Sequence, residues 1–424
     1  MRIAFFVNAF PIASEAFIAS SAAALIEAGH EVDIFGLGNA QPSDQTSCVT
    51  EKAGLHERAR NAAWPTTVMG GLRAMPGAIV ASLAHHGLRR SPVFRPMTYR
   101  RTWLDFSAVH QALALPKSGN FDILHCQFAT LAEYVLKHRE AGLLSGKVVV
   151  NFRGYDISEV VTHYGNDVYD NLWSRADAFI ANCDYFRQRA IGIGCPRERI
   201  DVIGSGIRLS DFPYREPRLT QGGAVRFVSI GRLIERKGLH HALAAIAVIK
   251  AGGRPVHYDL IGEGEDRHAL ETLSRNLGLS DEVTFHGAQP HEKIAPILSR
   301  ANILLAPCMT SAVGGVDAPV NSIKEAMASG VLVAATRHGG IPELVEDGVT
   351  GALATENDAA DLTRAVQRLL DLEAHWPDIA ATARQKVTDL YEIDMVTGRL
   401  IELYKTVSAA HHSTERPPTP VFGA

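Results

Sequence analysis

Two cations and two carboxylates stand in the second half of the chain at spacings that suit one ligand. The string Gly231-Arg232-Leu233-Ile234-Glu235-Arg236-Lys237-Gly238 places Arg232 and Lys237 in a glycine-bounded turn. Arginine grips phosphate with a planar fork, and lysine adds a compact charge. Further on, Asp317 and Glu325 flank Ala318, Pro319, Val320, Asn321 and Ser322, and Ala326-Met327-Ala328 follows. Carboxylates accept hydrogen bonds from hydroxyls. Ile323 to Ser329 reads as a helical run, so the amides around Val320, Asn321 and Ser322 would stand unpaired at its start, where anions are favoured. Together these groups describe a pocket for a sugar joined to a diphosphate. Each also has a plainer reading: a solvated turn after a strand, or a first-turn carboxylate favoured by the helix dipole alone.

Short apolar runs supply the elements that must position these groups. Ile3 to Val7 reads as a buried strand rather than a secretion signal, because Asn8, Pro11, Ser14 and Glu15 interrupt it after a strand's length. A helix ending at Gly29 and a second strand over 31–36 imply a right-handed crossover and a parallel sheet. Strands recur at 121–125, 147–152, 178–181 and 200–203. After a proline-bearing connection over 209–223, they return at 225–230, 257–261, 283–285, 303–306 and 332–335. The runs are continuous rather than alternating, as expected of strands covered on both faces. Two α/β units of one class are therefore expected to face each other across a ligand cleft.

Bulk properties agree with this plan. A chain of 424 residues should form about two domains. The formal charge of −4 gives no general reason to expect nucleic acid. Cys48, Cys126, Cys183, Cys195 and Cys308 show no metal spacing, which points to buried free thiols in a reducing, cytoplasmic compartment. From Trp64 through Leu104 the chain holds six arginines (Arg73, Arg89, Arg90, Arg95, Arg100, Arg101) and no acidic residue, interleaved with Trp64, Phe94, Tyr99 and Trp103. Such a stretch suits anionic lipid headgroups or an acceptor's pyrophosphate, a peripheral contact at the inner membrane face; a solvated helical face is the plainer reading. The tail over 411–424 is expected to be disordered.

These motifs carry a family resemblance. Phe10-Pro11 with Ser14-Glu15 and Phe17-Ile18, Gly154-Tyr155-Asp156, Gly339-Gly340-Ile341-Pro342-Glu343 and Asp347-Gly348 span nearly the whole chain. It resembles a retaining glycosyltransferase of family 4, within the branch that builds bacterial exopolysaccharides of colanic-acid and amylovoran type. The resemblance implies the GT-B fold, with two facing Rossmann-like doubly wound domains. Residues 1–210 would form the acceptor domain, completed by a crossover helix at about 392–408, and 223–391 the donor domain. It implies transfer of a hexose from a UDP- or GDP-sugar to a carbohydrate, lipid-linked or small-molecule acceptor. The departing diphosphate would take the proton, with no metal and no separate cofactor. A nucleotide-sugar epimerase of the same architecture and a non-catalytic nucleotide-sugar-binding relative are the alternatives.

By the same resemblance, Glu325 would bind ribose hydroxyls and Asp317 the donor sugar, while Gly231, Arg232 and Lys237 would hold the diphosphate. Gly262 and Gly264 suit a tight turn lining the cleft, and Gly339-Gly340 would bring the main chain near the nucleotide, with Glu343 holding that loop. The sequence departs from the family pattern in three places. Asp317 stands for the usual glutamate, Ala318 for a common glycine, and Arg153 before Gly154 for a histidine. Arg153 could contact phosphate or acceptor but cannot serve as a base. His125, at a strand end, is a second pocket candidate against the plainer reading of a structural histidine.

Overall fold

The computed structural model describes residues 1–12, 15–38, 48–62, 68–99, 107–219, 223–317 and 320–409. Its strands are β1 (Arg2–Val7), β2 (Glu31–Gly36), β3 (Ala59–Asn61), β4 (Gly119–Cys126), β5 (Leu144–Phe152), β6 (Ala178–Ala181) and β7 (Ile200–Val202), then β8 (Val225–Ile230), β9 (Val256–Ile261), β10 (Val283–Gly287), β11 (Ile303–Ala306), β12 (Leu332–Thr336) and β13 (Ala352–Ala354). They form two parallel sheets, one ordered β3-β2-β1-β4-β5-β6-β7 and the other β10-β9-β8-β11-β12-β13. In each sheet the order reverses beside the first strand, between β1 and β4 and between β8 and β11. Such a switch point opens a crevice at the carboxyl ends of the strands.

Period-two side-chain alternation divides each sheet between two cores. Ala4, Phe6, Leu124, Cys126, Val148 and Val150 pack on one face of the first sheet; Ile3, Phe5, Val7, Ile123 and Val149 pack on the other. This second face is covered partly by the terminal helix Ile393–Ala409, whose Val396, Leu400, Tyr404 and Val407 join that core. Burying each of its aliphatic side chains contributes about 1.5–3 kcal/mol, so the helix is anchored on the first sheet although it follows the second in sequence. The chain passes between the lobes near Ile207 and again near Glu392. The two passages bond to each other, Ile207 N–H donating to Tyr391 O and Ile393 N–H to Ile207 O.

Strands β3 and β13 were not expected from the sequence; each has only three residues and an edge position. The four described cysteine side chains, Cys126, Cys183, Cys195 and Cys308, are buried and free. The tail expected to be disordered, together with Ala318, Pro319, Ser14, Trp64, Arg100, Arg101 and Trp103, lies outside the described residues.

Candidate active site

The turn over 231–238, expected to hold the donor and called the donor turn below, emerges from β8 at the switch point, where Gly231, Arg232, Leu233 and Lys237 line a cavity of about 330 Å³ of open space. Val320 and Ser322, at the start of the helix Asn321–Ser329, line the same cavity, as do Ala306 at the end of β11 and Cys308 just beyond it. Two sequence-distant motifs thus meet around one space. Arg232 is partly exposed, and its guanidinium makes no hydrogen bond among the described residues. Burial lowers its pKa, and the neighbouring Arg236 lowers it further. Nearby Asp317, Glu159 and Glu15 act in the opposite sense.

Lys237 is largely buried, and its Nζ donates to Asp317 Oδ2 at 2.9 Å. Burial alone would lower the lysine's pKa, but Asp317 overcomes this and holds it above the ordinary value. Burial likewise works to raise Asp317, while Lys237 and Arg236 bring it below the usual carboxylate range. Arg236 completes the network: its Nε lies 3.3 Å from Asp317 Oδ1, and its guanidinium donates to Glu159 Oε1 at 2.5 Å. Arg236 is a site residue beyond those expected from the sequence, carried beside Lys237 by the short 3-10 turn Glu235–Lys237.

Asp317 is also held through its backbone. Its N–H donates to His338 Nε2 at 3.0 Å, and His338 Nδ1 lies 2.6 Å from Glu356 Oε2. Because Nε2 accepts, the ring proton belongs on Nδ1, where it is donated to Glu356. The expectation had no place for His338, which lies 21 positions from Asp317 and meets it only through a main-chain amide.

Glu325 sits one turn beyond Ser322 on the same helix face and is nearly fully buried. Gly262 and Gly264 support the donor turn from behind. At Gly262 a Cβ would strike Gly231 O, and at Gly264 it would strike Leu233 O. They permit close backbone packing beneath the phosphate candidates rather than offering a second phosphate turn. Glu343, expected to hold its own loop, instead accepts the backbone N–H groups of Asp184 and Tyr185, each at 2.8 Å. It therefore caps the helix Asp184–Gly192 of the opposite lobe, whose own Cys183 provides no side-chain cap.

Arg153 and His125 depart most from their expected places. Both line a second cavity with Phe17, Asn151, Ser205 and residues of the terminal helix, away from the donor turn. The Arg153 guanidinium donates to Gln127 O at 3.0 Å, Gln127 Oε1 at 2.6 Å and Ser205 Oγ at 3.2 Å, and it lies over the Phe17 ring. Its fork is occupied by protein acceptors. His125 is buried, its Nδ1 2.6 Å from the Tyr404 hydroxyl, and burial lowers its pKa to about 3. It is a neutral core residue beneath the terminal helix. Gly154 meets the second lobe: a Cβ there would lie 3.3 Å from Val316 O. The adjacent Ser158 Oγ accepts Val316 N–H at 3.2 Å.

Two family models divide the chain between them: Glycosyltransferase Family 4 over residues 14–211 and Glycosyl transferases group 1 over 213–386. The chain is 31% identical to WcaL of Salmonella typhimurium, named as a colanic acid biosynthesis glycosyltransferase, across 96% of this chain and all of that protein. The chain belongs to glycosyltransferase family 4. A second relative, the amylovoran biosynthesis glycosyltransferase AmsK of Erwinia amylovora, is 29% identical with the same coverage of both chains. Solved structures share the glycosyltransferase's GT-B fold. HepE of Anabaena, in complex with UDP-glucose, superposes with a TM-score of 0.67 at 18% identity, over 96% of this chain and all of that one. Sucrose-phosphate synthase of Thermosynechococcus elongatus gives 0.68 at 19%, over 97% and 100%. Among the described residues of the glycosyltransferase, no helix is long and apolar enough to cross a membrane.

Proposed function

We propose that this glycosyltransferase moves a hexose from a UDP- or GDP-sugar to a hydroxyl of a carbohydrate, lipid-linked or small-molecule acceptor in exopolysaccharide assembly, with retention of configuration. The reading is carried by one observation: Arg232 and Lys237 share a cavity with Val320 and Ser322 at the start of a helix. Departure of a nucleoside diphosphate builds negative charge on phosphate oxygens. Fixed cations and helix-start amides stabilise that charge most strongly where water is excluded. Asp317 retains lone-pair directions beyond those used by Lys237 and Arg236, and these suit donor-sugar hydroxyls. Glu325 is assigned to the ribose. Cys308 is no nucleophile here, since burial pushes its thiol up to about 12. The attacking hydroxyl approaches on the face of the leaving diphosphate, whose oxygen receives the proton. The protein supplies position and field. No metal and no separate cofactor are assigned to this step.

The colanic acid and amylovoran names of the relatives, and UDP-glucose in the HepE complex, support the substrate class. A panel of UDP- and GDP-sugars, read by diphosphate release and by NMR of the sugar product, tests the reading. Release with an α-linked product from an α-linked donor supports it. An isomerised sugar identifies an epimerase, and binding without release identifies a binding protein.

The acceptor is further proposed to be presented at a membrane surface. Val80, Leu88, Phe94 and Met97 are exposed on the first lobe, and Arg89 and Arg90 stand exposed among them. Apolar side chains interleaved with cations suit an anionic bilayer. Sedimentation with phosphatidylglycerol vesicles but not phosphatidylcholine vesicles is expected, weakened in Arg89→Glu/Arg90→Glu. Equal recovery with both lipids contradicts the assignment.

A further inference from the structure

Lys324 is a buried cation to which the donor pocket gives no role. It lies on the helix Asn321–Ser329 and is only 1% exposed. An ammonium withdrawn from water carries a desolvation cost that only well-placed partners offset. Its partners come from three segments of the chain. Nζ donates to Asn321 Oδ1 at 3.2 Å, at the start of its own helix, and to Ser205 O at 2.8 Å, on the first passage between the lobes. It also lies 4.4 Å from the centre of the Tyr391 ring, on the second passage, where the ring face attracts a cation. Ser205 is held from the other side as well: its Oγ accepts from the Arg153 guanidinium at 3.2 Å, so one residue takes a cation from each lobe. The glycines around it let the two passages close up. At Gly204 a Cβ would lie 3.0 Å from the Tyr391 ring, and at Gly206 it would lie 2.9 Å from the Ile393 side chain. The far end of this arrangement is the wall of the donor cavity. Asn321, whose side chain the ammonium holds, stands between Val320 and Ser322, which line that cavity together with residues of the second lobe alone.

We propose that Lys324 is a positioning residue for the transfer, tying the first turn of the helix Asn321–Ser329 to both inter-lobe passages and so setting the bound nucleotide-sugar at a fixed place relative to the first lobe. The inference rests on the transfer reaction proposed above and adds to it the part that aligns the lobes. Nucleotide binding uses the second lobe, whereas transfer needs both. Losing the ammonium therefore costs turnover rather than nucleotide affinity, and a misplacement of about 1 Å suffices for a loss on the order of 10²-fold. The charged form supplies the donors and the charge that this arrangement uses. Burial lowers the Lys324 pKa to about 7, and Arg153 lowers it further, while Glu325 on its own helix and Cys183 before the helix Asp184–Gly192 act in the opposite sense. Burial pushes the Cys183 thiol and the Tyr391 hydroxyl up to about 12, with Glu343 adding to both, so neither is charged near neutrality. The ammonium thus persists below about pH 7 and gives way to the amine above it.

The test measures diphosphate release from UDP-glucose, UDP-galactose and GDP-mannose in the presence of octyl glucoside, galactoside and mannoside, for the wild type, Lys324→Met, Lys324→Arg and Tyr391→Leu. UDP and GDP affinities are measured beside it by calorimetry. At pH 6, Lys324→Met is expected to lose about 10–100-fold in kcat while the affinity for the nucleotide that binds stays within about threefold. The advantage of the wild type over Lys324→Met narrows as pH rises from 6 to 8.5, and Lys324→Arg, which stays charged, recovers part of the rate across that range. Tyr391→Leu keeps the lysine and removes the ring beside it, and loses about threefold or more in kcat. A kcat within twofold of the wild type in Lys324→Met, whatever its melting temperature, overturns the positioning role. Nucleotide affinity lost in the same proportion as kcat overturns it in favour of a part in binding. Full kcat in Tyr391→Leu contradicts the clamp even where Lys324→Met fails to fold. Absence of release from every donor by the wild type counts against the transfer reaction and takes this inference with it.

Discussion

In the proposed reaction, Lys237 is the residue on which donor chemistry would depend most directly. Its ammonium is already desolvated and held by Asp317, so it needs little reorganisation to meet a phosphate oxygen. Lys237→Ala should lower turnover by about 10²–10³-fold or more, with a stability cost limited because Arg236 remains against the largely buried Asp317 when the ammonium is removed. Steady-state kinetics beside a thermal melt check this. His338 acts one step away. His338→Ala removes the acceptor of the Asp317 amide and leaves Glu356 without its ring partner. It should cost about 10–100-fold in kcat with donor KM little changed, by analogy with groups that orient catalytic ligands. Arg232 and Lys237 were legible in the sequence because a turn holds them within a few residues. His338 was not, because its link to Asp317 runs through the backbone. His125 lines a cavity other than the one beside Lys237 for a definite reason: a strand-end position gives height in the sheet but not the face. Its parity with Ile123 puts it on the side that Tyr404 covers.

The elements that matter most are those spanning the lobes. Arg236 in the donor turn bonds to Glu159 at the start of the helix Glu159–Tyr164, and Glu343 caps the helix Asp184–Gly192 from the other side. Lys324 Nζ adds a bond to Ser205 O at 2.8 Å. A few polar contacts thus join the lobes, one of them made by Arg236 of the turn over 231–238. Removing one helix cap costs about 0.5–2 kcal/mol. Glu343→Ala should accordingly lower unfolding free energy by about 1 kcal/mol and enlarge the radius of gyration measured by small-angle scattering. An unchanged scattering curve would show that the cap contributes to stability without restraining the lobes. Element type was legible along most of the chain, since buried parallel strands read as short apolar runs between helices. The cross-lobe contacts were not, because none follows a periodicity: each joins residues far apart in sequence and depends on how two finished lobes meet.

For the whole molecule, two buried histidines shape the response to acid. Burial lowers the pKa of both His125 and His138 to about 3, from 6.5 in the unfolded chain. Between these values the unfolded state binds protons that the fold excludes, so stability falls with falling pH by about 1.4 kcal/mol per unit for each histidine. Glu15 acts oppositely: burial raises it from 4.5 to about 7, so the fold takes up that proton first and gains stability as pH falls through this window. From pH 6.5 to 4.5 Glu15 offsets one histidine, so these three groups together take away about 1.4 kcal/mol per unit. Urea unfolding at intermediate pH values should show this slope, and His138→Gln should flatten it; an unaltered slope in that variant would assign the acid response to other groups. At the same scale, two doubly wound sheets place their switch points against a shared cleft, and the nucleotide-sugar is assigned to the second sheet's side of it. Calorimetric titration of UDP and of GDP into the wild type and into Lys237→Ala tests that assignment most directly. The account predicts that one nucleotide binds the wild type and loses at least about tenfold in affinity when the ammonium is removed. Binding of neither nucleotide, or equal affinity in both proteins, would contradict it.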